Sequence, residues 1–144
     1  GIDYFETYAP VVQWTTVRLL LVLEVLLKLK SKQGDVTAAF LCGELEEGKN
    51  VFFEMPTGFS KPGKVLILKK TLYGLKQSPR SFWKYLTKAM EACGMTVLKL
   101  DPCLFVGDKV LCISYVDDIL FWAKDKADII ELGIKVGAQG LLLE

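Results

Sequence analysis

Histidine is absent from this 144-residue chain, and cysteine is sparse. Without histidine, a histidine-dependent catalytic triad, a cysteine–histidine zinc finger and histidine ligation of haem are excluded. The four cysteines have no CxxC spacing, and each lies in apolar sequence: Cys42, Cys93, Cys103 and Cys112. We therefore expect free thiols in a reducing compartment.

Long uninterrupted apolar runs are also missing. The most apolar stretch, Val17–Leu29, contains Arg18, Glu24 and Lys28, and it is shorter than the ~20 residues that a transmembrane helix needs. The first residues lack the basic start, apolar stretch and cleavage site of a signal peptide. These absences predict an intracellular protein with no membrane partner.

An excess of charge of either sign is the third absence. The chain has 18 Lys and Arg residues against 17 Asp and Glu residues, for a net charge of +1. Composition therefore indicates no polyanionic partner, and any nucleic-acid binding must depend on local arrangement. The chain is nevertheless 51% hydrophobic with a mean hydropathy of +0.32. This predicts either a very apolar core or faces that pack on segments outside these residues.

The order of apolar segments predicts an α+β fold, with helices packed on one face of an antiparallel sheet. A helix over Val17–Lys30 is apolar nearly all round, so we expect it to be buried on most faces, with Glu24 and Lys28 paired on its wet side. A second helix is predicted from Ser78, as N-cap, to a stop at Gly94. The remaining predictions are a strand through Val36, strands at Val51–Met55, Val65–Leu68, Met95–Leu98, Cys103–Val106, Val110–Val116 and Ile119–Ala123, and a final helix over Ala127–Val136.

Two adjacent carboxylates, Asp117 and Asp118, lie between apolar runs whose length suits strands. An acidic hairpin tip is usually an ordinary turn, so a third carboxylate is needed to indicate a site. Asp35 lies at the end of a short polar stretch, where the predicted strand through Val36 ends, and a sheet can bring it beside the tip. The other acidic positions favour structural roles: Glu44-Leu45-Glu46-Glu47 as a solvated turn, and Asp101, Asp125 and Asp128 at turns or helix starts.

Three gathered carboxylates without a basic partner repel one another, and their pKa values rise unless a cation neutralises them. Carboxylate oxygens suit Mg²⁺, which keeps positions for water and for substrate phosphates. Two such ions about 4 Å apart activate an attacking hydroxyl and stabilise a pyrophosphate leaving group. The residues alone therefore predict phosphoryl or nucleotidyl transfer.

Several longer segments, in order from about residue 3 to residue 124, resemble successive motifs of copia-type LTR-retrotransposon reverse transcriptases. They are Tyr8–Val12, Asp35–Leu45, Met55–Phe59, Leu72–Arg80, Asp101–Phe105 and Tyr115–Asp118. The resemblance implies a reverse-transcriptase palm in which Asp35, Asp117 and Asp118 are catalytic and bind two Mg²⁺ ions, with Mn²⁺ as a possible substitute.

The same resemblance implies roles in substrate binding. Phe40 matches the aromatic gate that blocks a 2′-hydroxyl, or else it is a core residue. The segment under the templating base and incoming nucleotide matches Tyr73, Gly74, Lys76, Gln77 and Arg80. Gly74 would permit close backbone approach. Lys76 and Arg80 would meet phosphates, or else they are solvated charges. Tyr115 would lie beside the primer end, or merely pack at the hairpin.

The implied partners are an RNA or DNA template–primer duplex, a dNTP and the rest of a Pol polyprotein with its integrase and ribonuclease H. The implied place of action is the cytoplasm, in virus-like particles. Residues 1–144 are expected to be a single partial domain, a palm with part of the fingers. The N-terminal fingers strands, thumb and ribonuclease H would be absent, so we expect the isolated chain to be inactive or weak.

Departures from the family pattern keep two alternatives open. Gly34 stands where the family usually has a larger apolar residue, and the match fades beyond Lys124. A decayed or repurposed binding module is therefore the main alternative. Another two-metal nucleotidyltransferase, such as a cyclase-like domain, would explain the three aspartates but not Tyr73–Arg80 or Asp101-Pro102.

Overall fold

The fold was obtained as a computed structural model, which describes residues 7–45 and 50–144. Five strands form an antiparallel sheet in the order β1-β7-β6-β5-β4, while β2 and β3 form a separate antiparallel pair. The predicted α+β class is confirmed. In chain order the elements are α1 Trp14–Leu27, β1 Lys30–Asp35, α2 Ala39–Cys42, β2 Phe52–Phe53, β3 Leu66–Ile67, α3 Ser78–Ala92, β4 Thr96–Val97, β5 Leu104–Val106, β6 Val110–Tyr115, β7 Asp118–Ala123 and α4 Lys126–Ala138.

One face of the sheet packs against α3 and α4. Alternate residues of β7, Ile119 and Phe121, enter the same core cluster as Leu86 of α3 and Leu132 of α4. Alternation follows from the strand geometry, in which successive side chains point to opposite faces. Both helices were predicted from the sequence, and each turns one apolar stripe toward this face of the sheet.

The opposite face of the sheet packs against α1, whereas the sequence analysis predicted that the helices pack on one face only. Leu20 of α1 lies in a second cluster with Ile113 and Trp122. Leu20 is the buried residue of this helix, so the prediction that α1 is buried on most faces was wrong. Val17 and Leu23 are half-buried against this cluster, whereas six other apolar side chains are exposed: Leu19, Leu21, Val22, Val25, Leu26 and Leu27.

The predicted pair of Glu24 and Lys28 on the wet side of α1 was also wrong. Glu24 instead accepts hydrogen bonds from Trp122 Nε1 and Ser31 Oγ, each at 2.7 Å, and these two bonds lower the pKa of its carboxyl. Lys28 ends the helix in the left-handed conformation, with φ of 53°. Glu24 therefore connects α1 to the sheet.

Several local predictions are refined by the structure. Gln77 is the N-cap of α3, and Ser78 lies within the helix, where its hydroxyl donates to the Leu72 carbonyl at 2.6 Å. The four cysteines are free, as expected. Glu44 is exposed, while Glu46 and Glu47 of the predicted solvated turn lie outside the described residues. None of the helices in the described part of the chain has the length and apolar character needed to span a bilayer.

Candidate active site

The register of the central strands brings the three aspartates to one end of the sheet. Asp35 of β1 lies directly opposite Asp118 of β7, and Tyr115 of β6 lies opposite Asp118 on its other side. Asp117 is in the connecting turn, and its carbonyl accepts a 2.8 Å hydrogen bond from the Val36 amide. Residues directly opposite in a sheet share a face, so Asp35, Asp118 and Tyr115 point to the same side.

The electrostatics of this end are dominated by negative charge. The pKa of Asp35 is raised, first by desolvation and then by the charges of Asp117, Asp118 and Glu144. Asp118 is held from one side, because its Oδ1 accepts a 2.9 Å hydrogen bond from Gln33 Nε2. A nearby cation stabilises the charged form of a carboxyl group whose pKa is raised in this way.

The donor chemistry at this end of the sheet fits a divalent ion in part. In residues 7–45 and 50–144, no three acidic, histidine or cysteine side chains lie close enough together to hold a metal ion. Mg²⁺ nevertheless uses only one or two carboxylates when waters and substrate phosphates complete its shell. Asp35 and the Asp117-Asp118 pair therefore suit an open site that substrate would complete.

The hairpin tip between β6 and β7 has an unusual backbone. Val116, the first of its two linking residues, has a φ of +57°, which is rare for a β-branched side chain. The Ser114 hydroxyl donates to the Val116 carbonyl at 3.1 Å and braces the turn. Tyr115 beside it is 54% exposed, so its side chain is accessible to solvent.

The turn before α3 presents the residues that the family resemblance assigned to template and nucleotide. Gly74 has a φ of +91°, and an added Cβ would meet nothing within 4 Å, so this backbone is open. Lys76 is exposed, and Gln77 is the N-cap of α3. Arg80 is half-buried, and its Nη1 donates to the Tyr8 carbonyl at 3.3 Å. Arg80 therefore also attaches the segment before α1 to α3.

An aromatic group joins α2 to this turn. The Phe40 ring meets Tyr73 edge-on with centroids 4.9 Å apart, and it meets Phe82 of the core at 6.3 Å. Phe40 is half-buried, whereas Tyr73 is 59% exposed. Phe40 thus packs on the core residue Phe82 on one side and on Tyr73 of the turn before α3 on the other.

Two residues at the acidic end were not found from the sequence. Gln33 lies two positions before Asp35 in β1 and so shares its face, a relation that strand alternation could have indicated. Glu144 lies next to Asp35 because the segment after α4 returns to β1, and no local pattern announces such a return.

A second concave region lies at the other end of the sheet. This cleft of about 240 Å³ is lined by Gly107, Val110 and residues of α4. Four of its charged groups form two pairs, Lys109 with Asp128 at 3.2 Å and Lys135 with Glu131 at 2.7 Å. It lies far from the three aspartates along β6 and β7, so we do not assign the chemistry to it.

Comparison with known proteins supports the interpretation of these motifs. A family profile described as reverse transcriptase (RNA-dependent DNA polymerase) matches residues 1–139. The chain belongs to this family, and the resemblance to copia-type retrotransposon enzymes is confirmed.

The curated relatives are polyproteins of transposons. The chain is 40% identical over 142 residues to the retrovirus-related Pol polyprotein from transposon TNT 1-94 of Nicotiana tabacum. This match covers 92% of the present chain and 10% of the relative. It is 37% identical over 132 residues to the Pol polyprotein from transposon RE1 of Arabidopsis thaliana, and this match covers 87% of the present chain and 9% of the relative. It is 29% identical over 130 residues to the transposon Ty1-H Gag-Pol polyprotein of Saccharomyces cerevisiae, covering 86% and 7%. The chain thus spans a tenth or less of the length of these relatives.

Proposed function

We propose that this chain is the palm of a reverse transcriptase, with part of the fingers, and that it contributes to RNA- and DNA-templated DNA synthesis. Asp35 and Asp117 hold Mg²⁺, which Mn²⁺ can replace, and Asp118 supports the site. The observation that carries the proposal is the strand register, which sets Asp35 opposite Asp118 and bonds the Val36 amide to the Asp117 carbonyl.

The chemistry divides between the ions and the side chains. Two bound ions would activate the primer 3′-hydroxyl and stabilise the pyrophosphate that leaves. Asp35 and Asp117 place the negative charge that holds them, and Gln33 orients the Asp118 carboxylate by its hydrogen bond. Because Asp35 binds a proton more readily than an ordinary aspartate, the site should hold its ions better as the pH rises.

The side chains around the aspartates suit a nucleotide substrate. Phe40 is braced by the rings of Tyr73 and Phe82, and such a fixed ring suits exclusion of a 2′-hydroxyl by shape. The exposed Tyr115 suits contact with the primer end. The open backbone at Gly74, with Lys76, Gln77 and Arg80 around the start of α3, suits a template strand and phosphates.

The wider setting follows from the relatives. Their names describe Pol polyproteins of transposons, so we propose a template–primer duplex, a dNTP and the other Pol regions, integrase and ribonuclease H, as partners. Virus-like particles in the cytoplasm are the proposed place of action. We also propose that residues 1–144 form a partial domain and polymerise feebly or not at all alone; robust primer extension by the purified chain would contradict this part.

The metal site is tested by Mn²⁺ titration of the chain, followed by electron paramagnetic resonance. We expect binding to the wild type and a loss of affinity of at least about tenfold in Asp117→Asn, because the variant removes a direct ligand charge. Asp108→Asn, an exposed carboxylate in the turn before β6, is the matched control and should bind as the wild type does. Equal Mn²⁺ affinity in all three proteins would contradict the proposal.

A non-catalytic binding module is the second candidate. The observation that favours it is the lack of three metal-binding side chains at one point within the described residues. In that case template–primer duplex would bind equally well with and without Mn²⁺, and Asp117→Asn would change neither result.

A further inference from the structure

We propose that the segment Leu141–Glu144 is a positioning strand for Asp35, and that it sets where the first carboxylate of the metal site lies. The inference rests on the proposed function, because it concerns the same site. The segment follows α4 and lies along the outer edge of β1, which is the terminal strand of the sheet. No sequence motif pointed to it.

The backbone contacts of the segment centre on Asp35. The Asp35 amide donates to the Glu144 carbonyl, and the Glu144 amide donates to the Asp35 carbonyl, both at 3.0 Å. The Thr37 amide donates to the Leu142 carbonyl at 3.0 Å, and Val36 bridges Leu143. Such exchanged bonds are those of an antiparallel pair, so the segment continues the sheet locally.

The segment and the hairpin hold β1 from opposite sides. While Asp35 and Thr37 bond to the segment, the intervening Val36 amide bonds to Asp117 in the β6–β7 turn at 2.8 Å. Without the segment, the backbone at Asp35 would be an unpaired edge directly beside the tip. The position of Asp35 relative to Asp117 therefore depends on both contacts.

The segment is anchored independently of these bonds. Leu141 is fully buried in the core beneath α3 and α4, and Leu143 packs against the same cluster. Just before it, the Gln139 carbonyl accepts a 2.8 Å bond from the Tyr85 hydroxyl. The segment is thus fixed to the core and can transmit that position to Asp35.

Gly34 provides the space in which the segment lies. A Cβ added there would meet Phe121 Cε2 at 3.5 Å, the Glu144 carbonyl at 3.6 Å and Leu143 Cβ at 3.8 Å. These are ordinary contacts, so alanine fits, but a larger side chain would meet the segment. The unusual glycine before Asp35 is therefore matched to the close approach of Leu143 and Glu144.

The test separates the Glu144 backbone from its charge. Glu144→Pro removes the amide that donates to Asp35 while keeping an extended backbone before it; Glu144→Gln and Glu144→Ala keep the amide and remove only the side-chain charge. Mn²⁺ affinity of the 144-residue chain is measured by electron paramagnetic resonance, and exchange of the Asp35 amide is measured by NMR. Leu142→Ala, at a 65% exposed side chain, is the control for substitution within the segment.

We expect Glu144→Pro to weaken Mn²⁺ binding about 10- to 100-fold, the usual effect of losing a group that orients a ligand. Its Asp35 amide should exchange at least about tenfold faster, because each tenfold step corresponds to about 1.4 kcal/mol of lost protection. The glutamine, alanine and Leu142→Ala variants should stay within about threefold of the wild type, because an exposed charge is screened. Thermal unfolding should change little in any of them.

Three outcomes decide the matter. Equal affinity in Glu144→Pro and the wild type would overturn the positioning role, and so would a loss in Glu144→Gln as large as that in Glu144→Pro, which would assign the effect to charge. If wild-type Mn²⁺ binding is absent or insensitive to Asp117→Asn, the proposed function fails instead. In that case the exchange rate of the Asp35 amide is the only remaining test of the inference. An unchanged rate in Glu144→Pro overturns it, and a faster rate supports the positioning of Asp35 by the segment.

Discussion

Among the non-glycine residues with positive φ that the structure describes, Val116 is the β-branched one. Its φ of +57° lies in the left-handed region, which costs a non-glycine residue roughly 1–2 kcal/mol. The strain lies at the tip that carries Asp117, and strained residues of this kind cluster at functional sites. The conformation that places the carboxylates of this turn therefore reduces the stability of the fold.

Replacing Val116 by glycine should stabilise the fold. Relief of about 1–2 kcal/mol is offset by the roughly 0.5–1 kcal/mol that glycine costs through the greater entropy of the unfolded chain, so we expect a net gain of up to about 1.5 kcal/mol in urea unfolding. Val65→Gly is the control, since Val65 is also exposed and lies outside the left-handed region, and it should lose stability. A loss in Val116→Gly of the same size would show that the turn is not strained.

Asp35 should make the stability of the metal-free chain depend on pH. Its pKa is raised in the folded state, so folding is penalised when the carboxyl is charged, and the penalty disappears as the pH falls from above the raised pKa to below the ordinary value. Asp35→Asn should therefore raise the unfolding temperature at pH about 7, and the advantage should vanish near pH 3.5, below the unperturbed aspartate pKa of about 3.9.

The measurement is thermal denaturation in a chelator at both pH values, with Asp108→Asn as the control for loss of an exposed carboxylate. A stability difference between Asp35→Asn and the wild type that is the same at both pH values would contradict the assigned pKa direction.

The connection between α2 and α3 depends on the absence of a side chain at Gly43. A Cβ there would lie 2.6 Å from Thr71 Oγ1 and 3.1 Å from the Phe82 backbone nitrogen. Thr71 is fully buried, and its hydroxyl contacts the carbonyls of Phe40 and Gly43. This contact fixes the end of α2, on which Phe40 lies.

Gly43→Ala should destabilise the fold by about 1–3 kcal/mol, the usual cost of overpacking. Gly133→Ala is the matched control, because a Cβ at this position in α4 meets nothing within 4 Å and alanine favours a helix by up to about 1 kcal/mol. Urea unfolding of both variants measures the difference. If Gly43→Ala is as stable as Gly133→Ala, the α2–α3 contact is not tight.

At the level of elements, the sequence predicted best what depends on local pattern. The helices α3 and α4 were both predicted from local pattern. Asp101-Pro102 is a turn as expected: the buried Asp101 carboxylate accepts bonds from the Gln13 and Cys103 amides. The one-sided burial of α1 could not be predicted, because the apolar sequence of a helix does not indicate how many of its faces other elements will cover. The pairing of Glu144 with Asp35 could not be predicted either, because edge pairing joins segments with no local signal.

At the level of the whole molecule, apolar surface is concentrated in two regions away from the sheet core. One is the outer side of α1, formed by the exposed residues Leu19, Leu21, Val22, Val25, Leu26 and Leu27. The other is the β2–β3 pair, where Phe52, Phe53, Leu66 and Ile67 are exposed. The high mean hydropathy therefore reflects exposed apolar faces as well as the core. Exposed apolar patches of this kind promote association.

The outer side of α1 should govern the association state of the chain. Val25 and Leu26 are 78% and 70% exposed, so the double change Val25→Lys with Leu26→Glu keeps the net charge and should alter the unfolding free energy by no more than about 0.5 kcal/mol. Sedimentation velocity should show less association, whereas Leu20→Ala, at a site 3% exposed, should cost about 2–5 kcal/mol. If the double variant loses as much stability as Leu20→Ala, the outer side of α1 is packed in solution, and its apolar residues belong to the core as the sequence pattern predicted.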